Sequence, residues 1–493
     1  MKALVNVAVL LALVLPVGSL HANASDPYGP ARQDIEEAVK TDTVQSISVA
    51  VFRNGRIDWE QSFGWADREN KIKATPNTIY SIASISKPFT TTALMTLVFR
   101  GKIALDRPAN DYLGGAKLRA RIGDANDATV LRVADHTAGL PFHAQFFYYN
   151  ETARRPSADE TVRTFGQIIS RPGERYFYSN LGYGILGDIA ARQTGKSYAD
   201  AMTDLVFKPL RLKDTSVGLP IAKTKSVAAR YSPTGSRLPY YDTDHAGASE
   251  VFTSAHDLIR FAAFHLKAHL PGQKAILSDD LIDQMHANTA SPGTLSGYGI
   301  GFETSTRNSY KVVSHGGFMP GVTTQMVMIP DKKIAIVVLS NTASRATVDK
   351  ITDSIAATIL LGWSTEADTD ASGPETKFMP PAALVGSWVG KIARHEGDLP
   401  VILKIDSGGE ITATIGNHAP ASVEGVSFAD NRLTGAIGVA LQAKETSRFQ
   451  NTIRFDVKLE GVRMYGAMAA LDDLQSATFT AGLTYWLDLQ KTP

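Results

Sequence analysis

Ser84 and Lys87 lie three positions apart and have the side-chain types that nucleophilic catalysis needs. A serine hydroxyl is a poor nucleophile at neutral pH until a nearby base takes its proton, and a lysine amine can be that base. Three residues make almost one helical turn, and the apolar run after Lys87 predicts a helix, so both groups are expected on one face. Pro88 fits only the first helical turn, which places Ser84 where unpaired backbone amides favour developing negative charge. A serine at a helix start with a surface lysine has the same pattern, so the pair alone leaves both interpretations open.

A second candidate group is Tyr178-Ser179-Asn180. A phenol whose pKa is lowered by adjacent cations can relay a proton between a nucleophile and its leaving group, and this is the role predicted for Tyr178. The amide of Asn180 can hold a substrate carbonyl and keep Lys87 in place. The alternative is that these aromatic residues pack in a helical core.

A third group, His315-Gly316-Gly317, follows the apolar strand predicted over residues 310–313. Glycines at a strand end let a ligand approach the backbone closely. The amide of Phe318 is therefore predicted to form an oxyanion hole with that of Ser84. His315 is a candidate for binding a substrate carboxylate or for proton transfer, and the alternative is a turn with a surface histidine.

Composition and charge exclude several classes of function. The chain has 493 residues, 44% of them hydrophobic, which suits two or three globular domains. The 50 basic and 49 acidic side chains give a net charge of +1, so neither a nucleic acid nor an anionic membrane is expected as a partner. There is no cysteine, which excludes disulfides, a thiol nucleophile and a lipid-modified cysteine.

The N-terminus has the pattern of an export signal. Lys2 is followed by an apolar stretch over residues 3–17 and by the small-residue motif Ala22-Asn23-Ala24. We therefore predict a signal peptide over residues 1–24 that is cleaved after Ala24, a secreted or periplasmic protein, and no stable membrane anchor. An uncleaved anchor is the alternative, although the stretch is short for a membrane helix.

Hydrophobic patterns predict two folded parts. Strands are expected near both ends of the first part, over residues 46–52, 57–63, 310–313, 323–329 and 334–340. Helical patterns fill the region between them, which indicates an α+β domain over residues 25–362. A polar linker over residues 363–381 precedes short alternating runs in residues 382–493, which predict a small antiparallel β-barrel or sandwich.

The motifs and their order resemble the penicillin-recognising serine hydrolases, which include class C β-lactamases, D-alanyl-D-alanine carboxypeptidases, D-aminopeptidases and related esterases. The resemblance covers about residues 30–362. It extends to Gly64-Trp65-Ala66-Asp67, Thr75-Pro76-Asn77-Thr78, His136-Thr137-Ala138-Gly139-Leu140-Pro141, Phe207-Lys208-Pro209-Leu210, Tyr298-Gly299-Ile300-Gly301-Phe302 and Pro320-Gly321. It implies a β-lactamase-like antiparallel sheet flanked by helices, a mostly helical subdomain, and no metal or cofactor.

The resemblance also implies a role for each candidate residue. Ser84 would be the acylated nucleophile, Lys87 its proton acceptor and Tyr178 a general acid or base. Asn180 would position the substrate, and the backbone at Gly316, Gly317 and Phe318 would border the substrate and its oxyanion. The C-terminal segment resembles a β-barrel appended in some branches, where it shapes or covers the active site.

His315 separates the chain from part of this family. The β-lactamases and carboxypeptidases carry a lysine there and use it to hold the substrate carboxylate, whereas an unperturbed histidine is mostly neutral at pH 7. His-x-Gly is similar to the D-aminopeptidase-like and esterase-like branches. The resemblance therefore favours other peptides or esters over penicillins.

The predicted function is that of an exported serine hydrolase that forms an acyl-enzyme on Ser84. Its substrate is expected to be a small molecule or a peptide with an ester or amide bond, and D-amino-acid peptides are among the candidates. A β-lactamase or carboxypeptidase, and a non-hydrolytic penicillin-binding sensor, stay as alternatives, and the oligomeric state is open.

Two other patterns are set aside. Residues 182–187 match a dinucleotide motif without its βαβ context, and His265 with His269 lacks the glutamate of a zinc helix.

Overall fold

The computed structural model describes residues 26–363, 378–473 and 479–493. The predicted signal peptide, residues 1–24, and most of the predicted linker, residues 363–381, lie outside the described residues. Within the described ranges, no helix combines the length and the apolar character needed to cross a membrane.

The N-terminal domain contains all the α-helices of the described residues. They are α1 (Gly29–Lys40), α2 (Ser86–Phe99), α3 (Val130–Ala134), α4 (Ala158–Phe165), α5 (Asn180–Thr194), α6 (Tyr198–Met202), α7 (Ala246–Ser249), α8 (Ala255–His265), α9 (Asp279–Met285) and α10 (Arg345–Ile359).

The same domain contains the strands β1 (Ser46–Arg53), β2 (Arg56–Asp67), β3 (Ile72–Lys73), β4 (Tyr80–Ser81), β5 (Arg119–Ala120), β6 (Ala144–Tyr148), β7 (Gln167–Ile168), β8 (Ser216–Val217), β9 (Arg230–Tyr231), β10 (Arg237–Leu238), β11 (Tyr241–Thr243), β12 (Val251–Thr253), β13 (Ser296–Tyr298), β14 (Glu303–Arg307), β15 (Tyr310–Met319), β16 (Val322–Ile329) and β17 (Ile334–Ser340).

The central sheet is antiparallel and has eight strands in the order β13-β14-β15-β16-β17-β1-β2-β3. Strands from the two ends of the domain meet in its middle, where β1 pairs with β17. The β1–β2 hairpin turns at Asn54-Gly55, where both residues have the positive φ that a tight hairpin turn requires. Helices α1 and α10 cover one face of the sheet and α8 the other. The α+β prediction, with strands contributed from both ends, is confirmed.

Helix α2 lies at the centre of the helical layer. Every residue from Ser86 to Leu97 is buried, so the helix has no solvent-facing side. The ring of Phe89 stacks on that of Phe261 in α8 with 3.8 Å between the centroids. Packing on all sides fixes the start of α2, where the predicted nucleophile lies.

The C-terminal domain is a closed antiparallel barrel, so the barrel alternative is confirmed over the sandwich. Each strand pairs with the next, and the last strand pairs with both the seventh and the first, which closes the sheet. Its strands are β18 (Gly386–Arg394), β19 (Gly397–Ile405), β20 (Ile411–Ile415), β21 (Ala421–Ala429), β22 (Arg432–Ile437), β23 (Thr452–Glu460), β24 (Arg463–Leu471) and β25 (Ala481–Lys491).

The barrel is joined to the N-terminal domain by backbone pairing. Strand β25 pairs with β6 through Ala481 opposite Gln145 and Gly482 opposite Ala144. Polar side-chain contacts between the domains accompany the pairing. The hydroxyl of Thr484 donates to the carbonyl of Phe142 over 2.8 Å, and an ion pair of 2.7 Å joins Arg175 to Asp456. The barrel therefore supports the segment that contains β6.

Candidate active site

Ser84 lies in a tight turn directly before the buried helix. The 3₁₀ turn Ala83–Ile85 leads into α2, which begins at Ser86, as the position of the following proline predicts. Ala83 has a φ of 51°, in the left-handed region that L residues seldom adopt, so the backbone is strained immediately before the serine. The amide of Val251 donates to the hydroxyl of Ser86 over 2.9 Å and holds the turn in place. Ser84 faces a cavity of about 980 Å³.

The amine of Lys87 is enclosed by three oxygen acceptors. Its Nζ lies 3.1 Å from Ser84 Oγ, 2.8 Å from Asn180 Oδ1 and 3.3 Å from the carbonyl oxygen of Ala248. The side chain is completely buried, and burial holds the pKa of Lys87 well below its usual value, although the nearby Glu303 opposes this. An amine whose pKa is held low by burial and that is hydrogen-bonded to a serine hydroxyl has the properties of a proton acceptor.

The phenol of Tyr178 lies beside this pair. The Nζ of Lys87 is 4.6 Å from the centroid of the Tyr178 ring, and Ser84 hydrogen-bonds to the phenol. The expectation that adjacent cations lower the pKa of Tyr178 is wrong, because burial raises it far above its usual value and Ser84 offsets this only in part. The physical reason is that burial disfavours the charged phenolate and Glu303 adds to this, while the charge of Arg345 opposes the rise without overcoming it. Tyr178 is therefore a proton donor at rest.

Asn180 begins helix α5 and links three parts of the site. Its Oδ1 accepts from Lys87, and its Nδ2 donates to the carbonyl of His143 over 2.9 Å. The preceding Ser179 caps the helix by accepting from the amide of Gly182. The amide thus holds Lys87 in place, and its contact with a substrate carbonyl stays a prediction.

His315 is enclosed in strand β15 rather than exposed on a turn. It is 1% exposed, its Nε2 accepts from the hydroxyl of Tyr298 over 2.9 Å, and its Nδ1 donates to the carbonyl of Gly316 over 2.7 Å. Burial, assisted by Lys87, lowers the pKa of His315 to about 3. With both ring nitrogens engaged and no charge, this imidazole offers no cation to a substrate carboxylate.

Gly317 lets strand β15 pass directly over the turn that contains Ser84. A Cβ at this position would lie 2.3 Å from the carbonyl oxygen of Ile82 and 2.3 Å from Thr324 Oγ1. The next residue, Phe318, points to the opposite face of the strand and is 41% exposed at the cavity. This close approach brings the backbone of Phe318 to the side of the cavity where Ser84 lies, and the oxyanion role of the two amides stays a prediction.

Glu303 is a cavity residue that the sequence did not single out. It lies at the start of β14 opposite Ser314, which neighbours His315. Burial raises the pKa of Glu303 to about 7, against the opposing effects of Arg345 and Lys87. In the sequence, Glu303 differs from a surface glutamate only in that it directly follows the glycine-rich segment 298–302. Neither the spacing nor the composition around it indicates that it lines the cavity.

His136 contacts the ring of Tyr178 and the backbone that follows it. Its Nδ1 accepts from the amide of Ser179 over 3.1 Å, and its ring lies 4.5 Å, centroid to centroid, from that of Tyr178. Its φ of 64° is another left-handed conformation close to the site. The resemblance includes the segment 136–141, but neither it nor the spacing of the residues predicts that His136 contacts Tyr178.

The cavity joins residues from both domains. It is lined by Ser84, Phe142, Ala144, Phe146, Tyr176, Tyr178, Asn180, Pro233, His245, Ser249, Glu303, His315, Gly316, Phe318, Met319, Pro320, Gly321, Gln325, Ala343, Arg345, Asp349 and Phe479. Phe479 comes from the C-terminal domain, where it precedes strand β25 of the barrel. Six of the eight predicted site residues border this one cavity, Lys87 lies directly behind Ser84, and Gly317 lies against the Ser84 turn.

Side chains that could together bind a metal ion occur at one place in the described residues, where His143, Asp244 and His245 meet, and of these three His245 lines the cavity. His265 and His269, whose spacing is similar to that of a zinc helix, do not form such a cluster. The Nε2 of His265 shares a hydrogen bond of 3.0 Å with Thr92 Oγ1, and His269 faces Asp279 at 3.7 Å.

Comparison with known proteins identifies the family to which the chain is similar. The family model described as beta-lactamase matches residues 31–359. The curated relative "Protein flp" of Staphylococcus aureus strain MW2 is 27% identical over 315 residues, which cover 62% of this chain and 61% of that protein. The "Unguisins hydrolase ungD'" of Aspergillus campestris is 26% identical over 345 residues, covering 65% of this chain and 64% of that protein. The chain thus spans less than two thirds of the length of these relatives.

Solved structures show the same fold. A class C beta-lactamase superposes with a TM-score of 0.60 at 20% identity, covering 69% of this chain and 98% of that one. The octameric penicillin-binding protein homologue from Pyrococcus abyssi has a TM-score of 0.59 at 21% identity and covers 94% of this chain and 99% of that one. The predicted β-lactamase-like fold is confirmed. On the family match and the fold together, this chain belongs to the beta-lactamase family of penicillin-recognising serine hydrolases.

Proposed function

We propose that the protein is an exported serine hydrolase that cleaves esters or amides, including D-amino-acid peptides, through an acyl-enzyme on Ser84. One observation carries the proposal: the buried amine of Lys87 lies 3.1 Å from the Ser84 hydroxyl in the wall of a large cavity. An amine whose pKa is held low by burial can accept the hydroxyl proton as the oxygen attacks. Export rests on the signal-like pattern of residues 1–24 alone.

The proposed acylation uses three side chains in sequence. Lys87 takes the proton of Ser84 as Oγ bonds to the substrate carbonyl carbon. The amides of Ser84 and Phe318 stabilise the oxyanion, and one such donor is typically worth about 3 kcal/mol. Tyr178, which is protonated at rest, gives its proton to the leaving group and recovers one from Lys87.

The charges in the cavity favour substrates without an essential carboxylate. His315 is neutral, so the position at which β-lactamases present a lysine provides no cation. The nearby Arg345 acts on the carboxyls of both Glu303 and Asp349, which balance its charge. Neutral esters and amides suit this balance better than penicillins do. The name of the fungal relative, an unguisins hydrolase, supports hydrolysis as the activity.

Intact mass after treatment with a fluorophosphonate tests the nucleophile. Wild type is expected to gain one label and Ser84→Ala none. Ser249→Ala is the matched control, because Ser249 is a second serine that lines the cavity and its hydroxyl bonds to Thr243 at 3.0 Å instead of to a base. Equal labelling of wild type and Ser84→Ala, or no labelling of either, would show that Ser84 is not the nucleophile.

Turnover of a substrate panel separates the alternatives. Aryl esters and D-amino-acid amides are expected to turn over faster than the cephalosporin nitrocefin. Preferential nitrocefin hydrolysis would favour a β-lactamase instead. A stable Ser84 adduct without turnover of any substrate would favour a penicillin-binding sensor.

A further inference from the structure

The cavity beside Ser84 has an apolar side and a charged side. The apolar side belongs to a buried cluster that begins at Ala83, directly before the nucleophile, and that reaches the cavity through Ala144, Phe146, Met319 and Phe479. The charged side contains Glu303 at the start of β14 and two residues of α10, Arg345 and Asp349. The lining of the cavity thus suits a substrate that has an apolar part and a charged part.

The two sides lie at different positions along strand β15. Glu303 is opposite Ser314, and Met319, five residues further on, ends the strand. At about 3.3 Å per residue, roughly 17 Å separate these two positions. The Ser84 turn approaches the strand between them, at Gly317. The scissile bond of a substrate at Ser84 is therefore expected between the apolar side and the charged side.

Tyr178, the proposed proton donor to the leaving group, is close to the charged side. The charge of Glu303 acts on the phenol of Tyr178 and on the amine of Lys87. Because the leaving group takes its proton from Tyr178 in the proposed mechanism, it is the part of the substrate that faces Glu303. The acyl group then extends to the apolar side.

The carboxylates of the charged side are not paired with basic side chains. Glu303 and Asp349 are exposed at the cavity, and among the residues that the structure describes neither forms a salt bridge. Arg345 influences the charge of both, but its guanidinium lies over the ring of Phe318, 5.0 Å from the centroid. One carboxylate is enough to balance Arg345. The other leaves an excess negative charge when both are ionised, and this charge favours a second cation.

An exposed aromatic ring lies beside these carboxylates. Tyr176 lines the cavity and is 38% exposed. Burial raises the pKa of its phenol above the usual value, and the nearby charge of Glu303 adds to this rise. Aromatic faces attract cations within about 6 Å, and rings of this kind surround quaternary ammonium ligands in proteins. Carboxylates beside an exposed ring are therefore the groups that an ammonium ion needs.

We propose that the charged side of the cavity binds an ammonium group in the leaving group of the substrate, so that the substrates are esters or amides of alcohols or amines that carry a positive charge. This proposal rests on the proposed Ser84 acyl-enzyme. Glu303 and Asp349 supply the opposite charge, and Tyr176 contacts the alkyl groups of the cation.

The reaction is the proposed hydrolysis with a cationic product. Ser84 Oγ bonds to the acyl carbon, the bond from that carbon to the leaving oxygen or nitrogen breaks, and the leaving atom takes a proton from Tyr178. An ester releases an amino alcohol and an amide releases a diamine. Water then cleaves the acyl-enzyme to the carboxylic acid.

Two thioesters of the same shape test this subsite. Butyrylthiocholine carries a trimethylammonium group, and S-neohexyl thiobutyrate carries an uncharged tert-butyl group at the same place. A chromogenic disulfide measures the released thiol, because the chain has no cysteine that would react with it. At about pH 8 most Glu303 is charged, and wild type is expected to prefer the cationic thioester by roughly ten-fold in kcat/KM. Added salt is expected to reduce the preference.

Variants locate the origin of this preference. Glu303→Gln and Asp349→Asn are each expected to reduce it by about three-fold or more, and Arg345→Gln, which removes the competing cation, is expected to increase it. The preference is a ratio of two substrates in one preparation, so the amount of folded enzyme and the protonation of Lys87 cancel. Glu36→Gln is the matched control, because Glu36 is exposed on α1 outside the cavity, and its ratio is expected to match wild type.

Three results would overturn the proposal. The first is a wild-type protein that hydrolyses both thioesters equally well at low ionic strength. The second is a preference that neither Glu303→Gln nor Asp349→Asn reduces, and the third is a wild-type protein that takes the fluorophosphonate label on Ser84 and hydrolyses neither thioester. Absence of Ser84 labelling in wild type would instead refute the acyl-enzyme itself.

Discussion

At the scale of single residues, the site depends on how burial distributes protons between Lys87 and Glu303. Burial favours the neutral amine of Lys87, and the nearby carboxylate of Glu303 favours its charged form. The same burial raises the pKa of Glu303 to about 7, so this carboxylate becomes charged near neutral pH. The fraction of neutral Lys87 therefore depends on Glu303. In the proposed mechanism, the rate of acylation depends on this fraction, although Glu303 takes no part in the chemical steps.

Replacement of Glu303 by Gln is expected to shift the pH dependence of acylation. The variant lacks the charge that raises the pKa of Lys87, so the amine stays neutral at lower pH. The acidic limb of fluorophosphonate labelling by Ser84 is expected to move down by roughly half to one pH unit. Labelling rates measured from pH 5 to about 9 check this.

Asp349→Asn is the control for this shift. Asp349 lies in the same cavity and acts on Glu303, whereas the interaction that raises the pKa of Lys87 comes from Glu303. A much smaller shift is expected. An acidic limb that stays in place in Glu303→Gln would show that Lys87 protonation does not govern the rate.

At the scale of elements, the site depends on how closely β15 passes over the Ser84 turn. Gly317→Ala places a methyl group 2.3 Å from the backbone carbonyl of Ile82, so the strand or the turn must move. Overpacking of this kind costs typically 1–3 kcal/mol, and the movement separates the two proposed oxyanion amides. We expect lower stability in denaturant and slower fluorophosphonate labelling.

The neighbouring glycine provides a matched comparison. A Cβ on Gly316 would meet Gln325 Oε1 at 2.8 Å, and that atom is the end of a flexible side chain which can move away. Gly316→Ala is therefore expected to lose less stability and less labelling rate than Gly317→Ala. Equal losses would contradict the role of this close approach.

The elements and part of the site could be predicted from the sequence because their signals are local. Alternating residues and the Asn54-Gly55 turn predicted five of the eight strands of the central sheet, all except the short β3, β13 and β14, and a spacing of three predicted the contact of Ser84 with Lys87. Protonation states could not be predicted, since the pKa of Tyr178 depends on burial by distant segments. Asp244 and His245 carry no spacing signal, because their partner His143 is far away in the sequence.

At the scale of the whole molecule, the barrel forms part of the cavity wall. The pairing of β25 with β6 supports Ala144 and Phe146, which line the cavity. The hydroxyl of Tyr148 donates to the carbonyl of Phe479 over 3.0 Å, which fixes the barrel residue at the cavity. Residues of both domains line the cavity, so we expect the size of the acyl group in the proposed reaction to depend on both domains.

Phe479→Ala is expected to change substrate selectivity and leave the chemical steps intact. Removing the ring widens the cavity on the barrel side, so esters with longer acyl chains are expected to gain several-fold in kcat/KM relative to acetate esters. Labelling of Ser84 by a small fluorophosphonate is expected to change little. Phe428→Ala, which removes a ring from the barrel away from the cavity, is the control and is expected to keep the wild-type selectivity. The same chain-length preference in Phe479→Ala and wild type would show that the barrel supports β6 but does not set substrate size.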